Sequence, residues 1–122
     1  MAKVIGLGGF FFKSRDPAAL TAWYAKHLGV TPEAWGGVKF LEDAQRPGST
    51  LWMPFAADTT YFGQGAQTFM INFRVDDLEA LLAQLRADGV TVDERTDSSE
   101  FGHFGWITDP EGTRVELWQP PA

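Results

Sequence analysis

The sequence contains no cysteine and only two histidines, His27 and His103, among its 122 residues. Without cysteine, the chain can build neither a disulfide framework nor a thiolate nucleophile. The two histidines leave little imidazole with which to ligate a metal or move a proton. Most chemistry of the chain must therefore depend on carboxylates, hydroxyls, amides and aromatic rings.

Basic residues are also few, since 10 Lys and Arg stand against 16 Asp and Glu, a net charge of −6 and a pI near 4.7. This balance argues against a nucleic acid or an anionic membrane as the main partner. The longest apolar run, residues 4–12, is too short to span a bilayer and carries three glycines. No signal-peptide pattern precedes it, so we expect a cytoplasmic protein.

Aromatic residues, in contrast, are abundant, with ten Phe and five Trp. Large aromatic side chains usually form a hydrophobic core, but so many also suit an aromatic-lined cleft. The length and the 44% hydrophobic content suit one domain, or two half-domains that share a core.

The two halves of the chain repeat one pattern. Leu51-Trp52-Met53-Pro54 returns as Leu117-Trp118-Gln119-Pro120, and Gly29-Val30 returns as Gly89-Val90. A short repeat unit rarely buries its apolar face alone, so the copies are expected to pair, within the chain or with a second chain. A functional site is expected between them.

In the first copy, residues 3–13 predict a buried strand, and Asp16-Pro17 predicts the start of a helix. The apolar stripe of that helix is Leu20, Trp23, Tyr24, His27 and Leu28, and Gly29 ends it. Strands are predicted at 38–41 and 50–55, separated by a turn at 46–49, and the irregular segment 56–66 links the copies.

In the second copy, residues 68–75 alternate as a strand does. Asp76 is predicted to cap the next helix, with Glu79 at the capping-box position. The buried stripe of this helix is Leu78, Leu81, Leu82 and Leu85, and Gly89 ends it. A strand begins at 90–92, and strands 104–108 and 114–118 form a hairpin around 109–112.

Three motifs resemble signatures of one family. Residues 23–30, Trp-Tyr-Ala-Lys-His-Leu-Gly-Val, resemble the first-helix signature of the glyoxalase / bleomycin-resistance / extradiol-dioxygenase superfamily, also called vicinal oxygen chelate proteins. Residues 73–78 resemble the start of its second helix, and 109–112 with 115–118 resemble its closing hairpin. The motifs occur in order on a two-copy pattern that covers nearly the whole chain.

The resemblance implies an α+β fold in which two βαβββ modules form a curled mixed sheet around a shared cleft. The chain is then a single glyoxalase/bleomycin-resistance-like domain, residues 1–122, with module one at about 1–60 and module two at about 66–122. Many single-domain members complete the cleft in a dimer, so we expect a homodimer.

Enzymes of this superfamily usually hold a divalent metal in the cleft. By the resemblance, the four ligand positions correspond to Gly9, Thr50, Met70 and Glu116. Hard or borderline cations prefer carboxylate or imidazole ligands, and only Glu116 offers one. We therefore expect no metal and no other cofactor.

The histidines have a structural and a functional interpretation each. His27 lies on the apolar stripe of the first helix, where packing against the sheet is the expected role. His103 precedes a strand of the predicted hairpin, where a surface role competes with contact to a ligand. With Glu116, His103 would supply only two metal ligands.

Glu116 also has two interpretations. It is either a general base or polar anchor in an apolar cleft, where loss of solvation would raise its pKa, or an inherited carboxylate paired with Arg74 or Asn72. Eight residues are assigned to the ligand site around Glu116. His103 is assigned from its position just before the hairpin strand, and the others are assigned from strand alternation. They are Phe11, Trp52, Met70, Asn72, His103, Phe104, Trp106 and Trp118.

These observations favour a protein that binds a small organic molecule without a catalytic metal, as the bleomycin-sequestering branch of the superfamily does. The alternative is a lyase or isomerase of the glyoxalase type that uses Glu116 as base or as a ligand of a weakly held metal. A regulatory interaction module is a third alternative.

Overall fold

The computed structural model describes residues 1–28, 31–41, 49–63, 65–109 and 112–122. Within them the chain forms seven strands and two helices. In chain order they are β1 Val4–Ser14, α1 Pro17–Leu28, β2 Val38–Leu41, β3 Ser49–Ala56, β4 Phe69–Val75, α2 Leu78–Ala87, β5 Thr91–Ser99, β6 Gly102–Thr108 and β7 Arg114–Gln119.

The seven strands form one open mixed sheet in the order β2-β3-β1-β4-β7-β6-β5. β1 and β4 run antiparallel at its centre and join the two repeated halves. Each half adds a parallel neighbour to its first strand, β3 beside β1 and β7 beside β4. The predicted α+β class with a mixed sheet is confirmed.

Side-chain alternation on β7 separates the two faces of the sheet. Val115 and Leu117 are buried against the leucines of α2, in one hydrophobic core. Glu116 and Trp118 point to the opposite face, because successive side chains of a strand alternate. That opposite face carries a second core, built from Phe11, Phe62, Met70 and Trp106.

The first helix begins as the sequence predicts, and the second begins one residue later. Asp16 Oδ1 accepts a hydrogen bond from Ala19 N, which is the N-cap contact of α1. The cap of α2 is Asp77, whose Oδ1 accepts from Ala80 N. The prediction of Asp76 as cap is wrong, because the Asp76 carboxylate accepts from Lys3 N and so ties the chain start to the end of β4. With the cap at Asp77, Glu79 does not occupy the capping-box position.

Two strand predictions also differ from the structure. In the described part of the first half, three strands accompany the helix instead of four, since residues 31–37 are turn and coil. In the second half, β5 begins at Thr91, within the predicted start at 90–92, but extends to Ser99, further than the sequence indicates, and pairs with β6 as the edge of the sheet. Its charged sequence suits an edge strand, where charge discourages pairing with other chains.

Some predictions lie outside the described residues. These are the helix end at Gly29, most of the turn at 46–49, and two residues of the 109–112 turn. The side chains of Trp23, Tyr24, His27 and Leu28, which the sequence assigns to the stripe of α1, also lie outside them. No helix in the described segments is long and apolar enough to cross a membrane.

Candidate functional site

A cavity of about 660 Å³ lies on the sheet face opposite α2. Its polar lining residues are Lys39, Ser49, Glu100, Tyr61 and Glu116. The other walls are apolar, from Phe11, Trp35, Leu51, Met53, Phe55, Phe101, Phe104, Trp118, Pro120 and Pro121. This size and lining are those of a small-molecule site. We call this cavity the cleft.

Glu116 is the polar centre of the cleft. Its side chain is 1% exposed, and it accepts three hydrogen bonds. Tyr61 Oη donates to Oε2 at 2.5 Å, Trp106 Nε1 donates to Oε2 at 2.9 Å, and Asn72 Nδ2 donates to Oε1 at 2.6 Å. All three donors are neutral, so the carboxylate is solvated by the protein without being neutralised by it.

The environment shifts the protonation of both members of the Tyr61–Glu116 pair. Burial raises the pKa of the Glu116 carboxyl, and the hydrogen bonds from Tyr61, Asn72 and Trp106 act in the opposite direction without cancelling it. Burial, followed by the charge of Glu116, raises the pKa of the Tyr61 hydroxyl above its ordinary value. Tyr61 therefore remains a protonated donor to Glu116.

Two arginines flank Trp106 but are already paired with acidic residues. Arg114 Nη1 lies 2.5 Å from Asp93 Oδ2, and Arg95 Nη2 lies 2.7 Å from Asp97 Oδ2. Their guanidinium carbons lie 5.1 and 5.3 Å from the centre of the Trp106 ring. Both arginines are therefore paired, and the charge of Arg114 also lowers the pKa of the Glu116 carboxyl, after burial and the three hydrogen bonds.

Trp118 and Phe104 form one rigid aromatic wall. Their rings are stacked, with centroids 6.1 Å apart and planes 8° from parallel. Trp118 Nε1 donates to Phe101 O at 2.7 Å, which fixes the indole in the plane of the wall. Gly102 permits this contact, because it adopts a φ of 110° and a Cβ there would lie 2.2 Å from Gln119 O.

A glycine in β1 makes room for the polar centre. Asn72 is fully buried, and a Cβ on Gly8 would lie 1.7 Å from its Oδ1. Gly8 falls in a register shift between Leu7 and Gly9, where β1 is irregular against β4. Only a residue without a side chain therefore allows Asn72 to reach Glu116.

The structure brings most of the predicted site residues together. Glu116, Phe11, Phe104 and Trp118 line the cleft directly. Asn72, Met70 and Trp106 are fully buried next to these residues. Asn72 and Trp106 hold Glu116, and Met70 packs with Phe11 in the second core.

Trp52 is the first exception. Leu51, Met53 and Phe55 of β3 line the cleft, so Trp52 faces the other side of the sheet, where its ring lies 5.4 Å from Phe12. The assignment of Trp52 and Thr50 to the cleft face is wrong. Their sequence match to Trp118 and Glu116 is out of phase by one residue with the sheet.

His103 is the second exception. Its Nδ1 lies 2.8 Å from Ser98 Oγ, and it lines a separate polar depression beside the start of α2. On β6 it alternates with Phe104, which faces the cleft. The prediction that His103 lies with the cleft residues is wrong, because it lies on the opposite face of the sheet.

The residues around Glu116 do not fit the divalent metal of the superfamily. Gly9 pairs with Leu51 in the sheet as Asn72 pairs with Glu116, so the first half offers no ligand atom at the matching position. Among the described residues, no group of three His, Cys, Asp or Glu side chains could hold a metal ion. The oxygens of Glu116 are also engaged by three donors.

Tyr61 is the functional residue that sequence reasoning missed. It lies in the irregular segment 56–66 that links the halves, where no periodicity assigns a side chain to a face. Its ring stacks on Phe55 at 5.4 Å and 12° and stands edge-on to Trp106 at 6.0 Å. These contacts direct its hydroxyl to Glu116. The only signal in the sequence is the position of this segment between the two halves.

The chain belongs to the glyoxalase-like domain family, whose model matches residues 9–118. This range includes both helices, all the strands from Gly9 onward and the whole Glu116 centre. No curated protein matches the sequence. The family is therefore established by its own sequence model.

Solved structures share the fold at low sequence identity. Methylmalonyl-CoA epimerase from Streptomyces coelicolor, in complex with 2-nitronate-propionyl-CoA, is 15% identical, with a TM-score of 0.73 over 98% of this chain and all of that one. Methylmalonyl-CoA epimerase from Mycobacterium tuberculosis is 20% identical, with a TM-score of 0.66 over 98% and 90%. A glyoxalase/bleomycin resistance protein/dioxygenase superfamily member from Vibrio splendidus is 14% identical, with a TM-score of 0.54 over 98% and 99%. They support the glyoxalase-like fold assigned above.

Proposed function

We propose that this protein binds a small organic molecule in the cleft and does so without a divalent metal. Apolar and aromatic side chains supply most of the cleft wall, and a single buried carboxylate supplies its polar centre. Such a site recognises a compact apolar body with one polar group. The aromatic wall of Phe104 and Trp118 favours a flat ligand.

The observation that carries this proposal is the set of partners around Glu116. A metal-binding carboxylate needs free lone pairs and further anionic or imidazole ligands close by. Glu116 instead receives hydrogen bonds from Tyr61, Asn72 and Trp106. Glu116 is therefore suited to bind a polar group of a ligand while its own neighbours hold it in place.

An enzyme of the lyase or isomerase type is the second candidate, with Glu116 as general base. Two observations favour it: Glu116 reaches the cleft, and burial raises the pKa of its carboxyl. Methylmalonyl-CoA epimerases share the fold. The anchor role stands ahead of it, because three hydrogen bonds already occupy the oxygens of the carboxylate and hold it in place.

Fluorescence titration with the neutral probe N-phenyl-1-naphthylamine tests binding. Protein dialysed against chelator is titrated, and saturable enhancement at one probe per chain is expected, unchanged by added Zn²⁺, Ni²⁺ or Mn²⁺. Enhancement that requires a metal, or near-unit metal in the protein before dialysis, would support the enzyme with a metal. No saturable enhancement at all would overturn the binding proposal.

A matched pair of variants locates the probe. Met53→Trp adds bulk on the cleft side of β3, and Thr50→Trp adds the same kind of bulk on the other side of that strand. Only Met53→Trp is expected to weaken binding of the probe, by about tenfold or more. Equal weakening in both variants would contradict the location in the cleft.

We also propose a homodimer. Large apolar side chains remain exposed on β1 and its neighbour, with Ile5 at 50%, Phe10 at 44% and Phe69 at 41%. The sheet is open at both edges, and a symmetric partner would cover such a surface.

A further inference from the structure

We infer that the ligand of the cleft is a small organic cation, an amine or ammonium group on an aromatic or apolar body, seated with its charge at the Tyr61–Glu116 pair. This inference rests on the proposed binding function and adds the chemical class of the ligand. It follows from a count of the hydrogen-bonding groups at the polar centre, from the charges around it and from the aromatic walls.

The polar centre offers acceptors and no donor. Tyr61 gives its only hydroxyl proton to Glu116, and Trp106 gives its only N–H to the same oxygen. What remains at this centre is lone-pair capacity, on Glu116 Oε1, which accepts one hydrogen bond, and on Tyr61 Oη, and both residues line the cleft. A ligand must bring hydrogen-bond donors to be bound there, since an acceptor would face only lone pairs.

The Asn72 side chain adds to the same imbalance. One of the two Nδ2 protons is used on Glu116 Oε1, whereas Oδ1 is buried without a hydrogen-bond partner among the described residues. Glu116, Tyr61 and Asn72 therefore form one buried cluster in which acceptor atoms outnumber donors. The cluster therefore has unused hydrogen-bond acceptors in the absence of a ligand.

The charges around the centre compensate a negative charge on Glu116 only in part, because Arg114, whose charge lowers the pKa of the Glu116 carboxyl, is itself paired with Asp93. Arg95, the second cation beside Trp106, is paired with Asp97. Among the residues that line the cleft, Lys39 and Glu100 carry opposite charges. A charge buried in apolar surroundings gains most from an opposite charge that arrives together with its own apolar cover.

The walls suit a cation for a second reason. Phe11, Phe55, Tyr61, Phe104 and Trp118 present aromatic rings to the cleft. The faces of such rings attract cations, most strongly where water is excluded. Neutral or anionic aromatic ligands would gain from the stacking but not from this attraction.

The test uses three probes of one shape and different charge, each titrated into the wild-type protein at pH 7. They are 1-naphthylmethylamine, which is cationic, 1-naphthylmethanol, which is neutral, and 1-naphthoic acid, which is anionic. We expect the amine to bind at least about tenfold more tightly than the alcohol, and the acid to bind most weakly. Equal affinities, or a preference for the acid, would overturn the inference and leave the proposed binding function intact. If none of the three binds, the proposed function fails with it.

Glu116→Gln tests the assignment to this carboxylate. The variant can fold with its buried hydrogen bonds satisfied. The Gln oxygen can accept from Tyr61 and Trp106. Its amide N–H can donate to Asn72 Oδ1 once the Asn72 amide has rotated. We expect the variant to bind the amine about tenfold or more weakly and the alcohol within about threefold of wild type. A preference for the amine that survives in the variant would contradict the role of Glu116.

Glu94→Gln is the matched control. It removes the same formal charge from an exposed residue that lines the separate depression beside α2. The amine preference should survive in this variant within about twofold. Loss of the preference in both variants would assign it to the overall charge of −6 and overturn the specific site.

Discussion

At the scale of single residues, Glu116 is the central group of the cleft, and a buried carboxylate must be stabilised by specific partners. Tyr61, Asn72 and Trp106 supply that stabilisation as neutral donors. Glu116 therefore combines two roles, since it organises its neighbours and presents its remaining lone pair to the cleft. This is why one carboxylate can be both structural and a recognition element.

Glu116 should make the stability of the protein depend on pH. Burial raises its pKa in the folded state above its ordinary value of 4.5. The native state then binds the proton more tightly than the unfolded state, so the contribution of Glu116 to stability is fully present below about pH 4.5 and is lost as the pH rises through the folded-state pKa. Arg114, paired with Asp93, and protonated Tyr61 are the ionisable groups that face it.

Urea unfolding of wild type and Glu116→Gln between pH 4.5 and pH 8 measures this effect. The difference in unfolding free energy between the two proteins should shift against the wild type as the pH rises. A difference that is constant, or that favours the wild type at higher pH, would mean that the pKa of Glu116 is not raised.

The two tryptophans of the sequence repeat should behave differently. Trp118→Ala removes part of the cleft wall and should weaken binding of an aromatic amine by about 1–3 kcal/mol. Trp52→Ala changes the other face of the sheet and should lower stability while leaving the affinity of the folded protein unchanged. Titration with 1-naphthylmethylamine, together with thermal unfolding of each variant, separates the two effects. Weaker binding in Trp52→Ala alone would reverse the face assignment.

The same pair explains what the sequence could and could not predict about the site. Trp118, Glu116 and Phe104 were assignable, because two strands of clear alternation flank a strong turn signal. The assignment of Trp52 is wrong because similar residues at repeat positions do not guarantee the same strand register. A shift of one residue moves every side chain of a strand to the opposite face of the sheet. Tyr61 was out of reach, because its position depends on tertiary contacts with Phe55 and Trp106.

At the scale of elements, the helices and most strands followed from periodicity and capping. β5 did not, since its sequence Thr-Val-Asp-Glu-Arg-Thr-Asp-Ser-Ser has little intrinsic strand preference after its first two residues. Its pairing with β6 imposes the extended conformation, so tertiary context determines this strand. The first half is the reverse case, because the βαβββ pattern implies a fourth strand that the described residues of this half do not form.

The cap of α2 provides a prediction at this scale. Asp77→Ala should lower the unfolding free energy by about 1 kcal/mol, because the N-cap side chain satisfies Ala80 N at the start of the helix. Asp77→Asn keeps an oxygen in place and should recover most of that loss. Chemical denaturation of both variants checks this, and equal losses in both would show that the charge, not the hydrogen bond, stabilises the helix.

At the scale of the whole molecule, the duplication joins two unequal halves across one open sheet. The second half provides Glu116, Asn72, Trp106 and Trp118, whereas the first half provides the apolar wall of β3. The position that matches Glu116 in the sheet is held by Leu51, so the centre is asymmetric. This asymmetry favours recognition of a ligand with one polar end and one apolar end.

Assembly is the prediction at this scale. The exposed apolar side chains of β1 and β4 should lie in a symmetric interface, so the protein should sediment at about twice the chain mass of 13.5 kDa. Replacing Phe10 by Glu on that surface should shift the equilibrium toward monomer, because it buries a charge in the interface. Sedimentation as a monomer at micromolar concentration would contradict the dimer.

The most direct test of the central claim is an electron-density map of a crystal grown with saturating 1-naphthylmethylamine. We expect density for the naphthalene ring against Trp118 and Phe104, with the amine nitrogen within hydrogen-bond distance of Glu116 or Tyr61. Density for the ring on the Trp52 face of the sheet, or an amine directed away from Glu116 toward solvent, would contradict it.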